Sequence, residues 1–196
     1  VNPRFLVLHA RARLVPATLV GAAGVALVGW AAATWLVERN PASDPLARLP
    51  VIIAVPLVVA VLVSIGLDGA DQELERSTAM RWWLLRLGHL LAAAAVVAPI
   101  ATIGLWQPRH HGAYELVRNG LGSLGLVATA TVLVGARLAW APTMAYVLFV
   151  FSWAADRIEI EPTGATGWLT WPVQPADVSQ ATWAALVLFV VGIALY

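Results

Sequence analysis

Residues 14–37 carry no charged side chain, and residues 84–105 carry Arg86 as their one formal charge. An α-helix rises ~1.5 Å per residue, so about 20 apolar residues cross the ~30 Å hydrocarbon core of a bilayer. Runs of this length constrain the chain more than any other feature. In water they would expose apolar surface that a domain of 196 residues, 60% of them hydrophobic, has no interior to hold. In lipid they can only be helices or closed barrels, because every backbone polar group must find its partner inside the protein. The period-two alternation of a transmembrane barrel is absent, so the expectation is an all-α, polytopic membrane protein.

Punctuation by proline and charge divides the chain into six expected spans. They lie near residues 15–37, 49–67, 82–106, 116–135, 141–155 and 181–196 of one transmembrane domain. Pro16 marks the start of the first, Pro56 a kink in the second, and Pro99 lies near the far end of the third. Asp177 or Ser179 is the expected cap of the last. Gly125 and Thr129 in the fourth have the spacing of close helix packing. Residues 1–13 read as an N-terminal interfacial segment whose Arg4, Arg11 and Arg13 snorkel to headgroups. Residues 156–180, with Trp168 and Trp171, read as an external re-entrant or interfacial region.

Six spans place both termini on one side. With that side cytoplasmic, Arg4, Arg11, Arg13, Arg76, Arg81, Arg86 and Arg137 lie inside, and Arg39, Arg48, Arg109, Arg118 and Arg157 outside. The bias agrees with the positive-inside rule and points to the cytoplasmic membrane.

The strongest polar break in the N-terminal half is LDGADQELERSTAMR, residues 67–81, which holds four of the eleven acidic residues. Leu67, Ala70, Leu74 and Thr78 fall on one narrow helical face, with Asp68, Asp71, Glu73, Glu75 and Arg76 around it. That is a short amphipathic helix between spans two and three on the cytoplasmic side. For an arbitrary membrane protein, a solvated loop is the plainer reading of such a segment.

The layout resembles the type-2 family of ABC exporter permeases: an interfacial N-terminal segment, six spans, a coupling helix between spans two and three, and an external re-entrant region between spans five and six. The stretch LDGADQELERSTAMRWWLLRLGHLLA is similar to that family's acidic, leucine-containing segment followed by a basic and aromatic start of span three. The resemblance implies an ATP-driven exporter of a hydrophobic or amphipathic substrate, such as an antibiotic, peptide or lipid. It implies that Asp71, Glu73, Leu74, Glu75 and Arg76 dock on a separate ABC ATPase subunit. It implies a second permease subunit, identical or similar, completing a dimer. ATP and magnesium would sit on the partner, since this chain has no GxxxxGK[ST] loop and needs no cofactor of its own.

Other chemistry finds little footing. Trp82, Arg86 and His89 share one face of span three, making Arg86 and His89 candidate polar groups of an inner cavity. The bland alternative is that Arg86 snorkels and His89 bonds to a neighbouring helix. His110 and His111 are adjacent and point apart, which is awkward for a shared metal, and no cysteine is present. Glu115 and Arg118 read as a local ion pair of small worth. No nucleophile–base set is apparent, and no basic patch fits nucleic acid. A non-transporting membrane scaffold or immunity protein, and a haem- or quinone-binding electron carrier, are the rival readings.

Overall fold

The computed structural model describes residues 8, 10, 11, 13–39, 49–67, 82–105, 112–155 and 165–196. Those residues form helices and no strand. The helices are α1 (Val15–Arg39), α2 (Leu49–Leu67), α3 (Trp82–Leu105), α4 (Ala113–Val134), α5 (Trp140–Ala155), the short α6 (Ala165–Leu169) and α7 (Ser179–Leu195). A 3₁₀ turn, Trp171–Val173, lies between α6 and α7. Within α1, α2 and α4, the segments Val15–Leu36, Leu49–Leu67 and Ala113–Val134 are long and apolar enough to cross a membrane.

α4 is the hub, packed on α2, α3, α5 and α7. Two apolar clusters fix the order of the ends. Leu67, Leu90, Ala130 and Ala139 meet at one end, where Tyr196 packs beside them. Ala33, Ile52, Val55 and Leu116 meet towards the other. The chain therefore runs up and down between two ends. α2 carries no charge and buries most of its circumference, leaving one stripe through Pro50, Ala54, Val58 and Ile65 exposed. α1 is different: only 17% of its apolar window is buried, against 67% for α2, and Leu19, Val20, Leu27 and Val28 stand exposed.

The α4–α7 seam is closed to backbone contact. A Cβ on Gly192 would lie 2.5 Å from the Gly125 carbonyl oxygen, and a Cβ on Gly125 would strike the Leu188 carbonyl. Only glycine permits that approach. α4 ends at Gly135, whose φ of 86° turns the chain towards α5 in a conformation other residues rarely adopt.

Boundaries shift where polar groups take part. α4 starts at Ala113, earlier than the apolar run alone marks, because Glu115 belongs to its first turn. The Glu115 carboxylate accepts a bond from the Gly112 N–H at 2.9 Å, satisfying an otherwise orphaned donor near the positive end of the helix. α7 corrects an expectation. Its N-cap is Val178, with no side-chain cap, and Ser179 instead hydrogen-bonds Gln180 at 3.4 Å. The amphipathic helix expected over residues 67–81 falls outside the described residues, apart from Leu67.

Candidate functional site

Three constructions stand out: a polar junction at one end of the bundle, a polar clamp at the other, and an apolar cleft between α1 and α3.

The junction gathers on the carbonyl end of α2. Arg13 Nη1 donates to the carbonyl oxygens of Gly66 (3.3 Å) and Leu67 (3.1 Å) and to the Tyr196 hydroxyl (3.3 Å). The Tyr196 hydroxyl donates to Leu67 O at 2.8 Å. The last carbonyls of a helix have no intrahelical partner and carry its negative end, so a guanidinium suits them in charge and in donor number. Leu14 takes a left-handed backbone (φ 53°) just before α1, a turn that costs a non-glycine residue about 1 kcal/mol. Arg13 thus departs from its expected role. It is buried within the bundle and does not reach outward to headgroups.

The clamp joins α4 to the segment before α7. Arg118 Nη2 donates to Gln174 O (2.6 Å), Nη1 to Pro175 O (3.1 Å), and Nε to Asn119 Oδ1 (3.2 Å). Asn119 Nδ2 donates to Pro172 O (2.8 Å) and Ile52 O (3.3 Å). The last bond has a plain cause. Pro56 has no N–H, so the Ile52 carbonyl four residues earlier loses its helical partner, and Asn119 supplies the missing donor. Glu115, Arg118 and Asn119 are all buried. Glu115 and Arg118 remain electrostatic neighbours, as the local pairing expects, but both are buried and Arg118 also grips backbone across the bundle, which the expectation of small worth did not include.

Below the clamp, Trp171 is buried against Gly122, where any Cβ would meet the indole ring. Gly122 lies nine residues into α4, about 14 Å along its axis. Tyr146 donates to Leu169 O at 2.5 Å, and Gln174 Nε2 to Thr170 Oγ1 at 2.6 Å, holding the turn in place. Among the described residues, the buried Trp171 indole N–H meets no acceptor in good hydrogen-bond geometry; the Tyr146 phenol is its polar neighbour.

The cleft consists of two adjoining cavities that share Leu19, Ala92 and Val96. One, of about 130 Å³, is bounded by Val15, Thr18, Val63 and His89. The other, of about 390 Å³, is bounded by Ala22, Ala23, Ala26, Ala95 and Pro99. His89 is half-buried, and its ring lies 3.2 Å from where a Cβ on Gly66 would stand, beside the Arg13 junction. Of the residues singled out by sequence, His89 lies at this cleft. Asp71, Glu73, Leu74, Glu75 and Arg76 lie outside the described residues, and Arg86 is placed only as a member of α3. Sequence reasoning passed over Asn119 altogether. Its signal was an amide in an apolar run, in a chain whose Pro56 frees a carbonyl. Among the described residues, no group of three or more His, Asp or Glu side chains is placed to hold a metal ion.

Among the described residues the fold is all-helical, with three helices long and apolar enough to cross a membrane. No family model, no curated protein and no solved structure matches the chain.

Proposed function

We propose that the chain is the membrane-embedded permease subunit of an ATP-driven exporter, with six spans, both termini cytoplasmic, and ATP hydrolysed on a separate subunit. One observation carries the reading. The carbonyl end of α2, where the acidic segment 68–81 begins, is gripped by Arg13 ahead of α1 and by Tyr196 at the end of α7. A segment that transmits force must be tied to what it moves, and coupling travels through such packed and hydrogen-bonded contacts. A push on residues 68–81 would reach α2 and α3 directly, and α1 and α7 through the junction.

Supporting features lie elsewhere in the bundle. The exposed apolar faces of α1 and α7 suit lipid. The Trp171 turn, at the depth of Gly122, suits a segment that dips into the membrane from the outer side. The cleft offers a hydrophobic or amphipathic substrate a lateral way in.

The test is gentle purification of the tagged chain from its native host, with mass spectrometry of what accompanies it. A stoichiometric subunit bearing an ATP-binding cassette is expected, and Glu73→Ala, Leu74→Ala and Glu75→Ala together should remove it while membrane insertion persists. A preparation free of any such ATPase, at low salt and in nanodiscs, overturns the reading.

A further inference from the structure

We infer that α2 is a jointed helix: it hinges at Pro56, and Asn119 binds its N-terminal half to the turn at residues 170–175 as one body. The joint follows from hydrogen bonding and packing; that its motion serves transport rests on the permease reading.

The proline opens the helix. α2 runs from Leu49 to Leu67 with Pro56 inside it. Pro56 has no N–H to give the Ile52 carbonyl, and its ring crowds that carbonyl, so the bond that would resist bending there is missing. Asn119 Nδ2 fills the gap from another helix, at 3.3 Å. The same amide nitrogen donates to Pro172 O at 2.8 Å, so its two protons are divided between α2 and the turn. Its oxygen accepts from Arg118 Nε, and Arg118 holds the carbonyls of Gln174 and Pro175. Asn119 is buried, where a lost bond is not made good by water.

The packing changes partners close by. Leu49 and Ile53 pack with Val147 and Val150 of α5 and with Val173 of the turn. Ile52 and Val55 pack with Ala22 of α1 and Leu116 near the start of α4. Leu57 and Val59 still belong to these two clusters. From Ala60 onward the partners differ: Ala60, Val63 and Leu67 join Leu90 of α3 and Val127 of α4. The last carbonyls of α2 are tied in turn to Arg13 and Tyr196. Each half of α2 thus belongs to its own packed body, and the change falls about one turn past Pro56. A helix bends where its bond ladder is interrupted, and two separately packed halves can then move apart. The C-terminal half tilts with the Arg13 junction while the N-terminal half stays with the turn. In a permease, that would hold the outer face shut while force acts at the inner end.

The test measures the bend in the full chain in lipid nanodiscs, without any ATPase. The chain has no cysteine, so spin labels go on paired cysteines replacing exposed residues. Pro50→Cys with Ile65→Cys lie fifteen residues apart on the exposed stripe of α2, about 22 Å, and report the hinge. Pro50→Cys with Leu133→Cys of α4 report the tie of the N-terminal half. By pulsed electron–electron double resonance, Pro56→Ala should narrow the 50–65 distribution to about half its width and leave 50–133 unchanged. Asn119→Leu should broaden 50–133 about twofold, and Asn119→Ala serves the same purpose if that variant does not fold. In the Pro56→Ala background the Asn119 change should broaden nothing, because α2 then carries its own bond. Ala54→Leu, on the exposed stripe, should alter neither distribution. A parent 50–65 distribution already as narrow as that of Pro56→Ala would overturn the hinge. Equal broadening by Asn119→Leu with and without Pro56 would make Asn119 an ordinary packing contact and overturn its place in the joint. A hinge found in a chain that recruits no ATPase would keep the joint and remove its part in transport.

Discussion

Two seams of the bundle are lined by small residues and end differently. Between α4 and α7, Gly125 and Gly192 let the helices touch backbone to backbone. Between α1 and α3, facing alanines leave a cleft. Small side chains permit close approach but do not enforce it. Closure of the first seam is helped from outside: Arg118 and Asn119 draw the segment before α7 onto α4 through carbonyls of residues 172, 174 and 175. Among the described residues, the polar tie of α1 to the bundle lies at one end, at Arg13. The molecule is thus a tied half, α4 to α7, beside a looser half in which α1 leans on α2 and α3.

The difference can be broken on the tied side. Arg118→Met should cost the most, about 3–5 kcal/mol, because it strips the buried Glu115 carboxylate of its cationic neighbour and leaves the carbonyls of Gln174 and Pro175 without their donor. Thermal unfolding in mild detergent reads this, and a cost below about 1 kcal/mol would show that the clamp is not buried. Gly125→Leu should follow, at about 1–3 kcal/mol or more, by forcing apart helices already in backbone contact.

Asn119→Leu should cost about 1–3 kcal/mol by orphaning the carbonyls of Ile52 and Pro172. Adding Pro56→Ala restores the N–H that Ile52 lacks, so the double variant should recover part of that loss. Strict additivity would show that Asn119 does not serve the proline gap. Ala92→Leu, on the loose side, should lie within about 0.5 kcal/mol of the parent, since it grows into empty space. A penalty equal to that of Gly125→Leu would erase the contrast between the seams.

Much of the fold was legible because long apolar runs have one stable backbone in a dry environment. α2 occupies the very residues that its uncharged run marks, Leu49–Leu67, and Pro56 sits inside it as read. α4 and α7 drifted by a few residues, because their first turns contain polar groups that hydropathy discounts. His89 drew attention as an ionisable group within an apolar helix, and it lies at the cleft. Arg13 was read as a snorkelling side chain and Arg118 as half of a local ion pair, and the grip of each on the bundle was missed for a physical reason. Their partners include backbone carbonyls, which carry no sequence signature. Asn119 hid similarly: Pro56 announces that a carbonyl needs a donor, but not which helix supplies it.

The most direct test is a distance measurement, made simple by a chain without cysteine. Spin labels on cysteines replacing exposed Leu27 of α1 and Leu91 of α3 report the loose seam; labels replacing Leu133 of α4 and Val190 of α7 report the tied one. In nanodiscs, pulsed electron–electron double resonance should give a broad distribution across α1–α3 and a narrow one across α4–α7. Two equally narrow distributions would contradict the account.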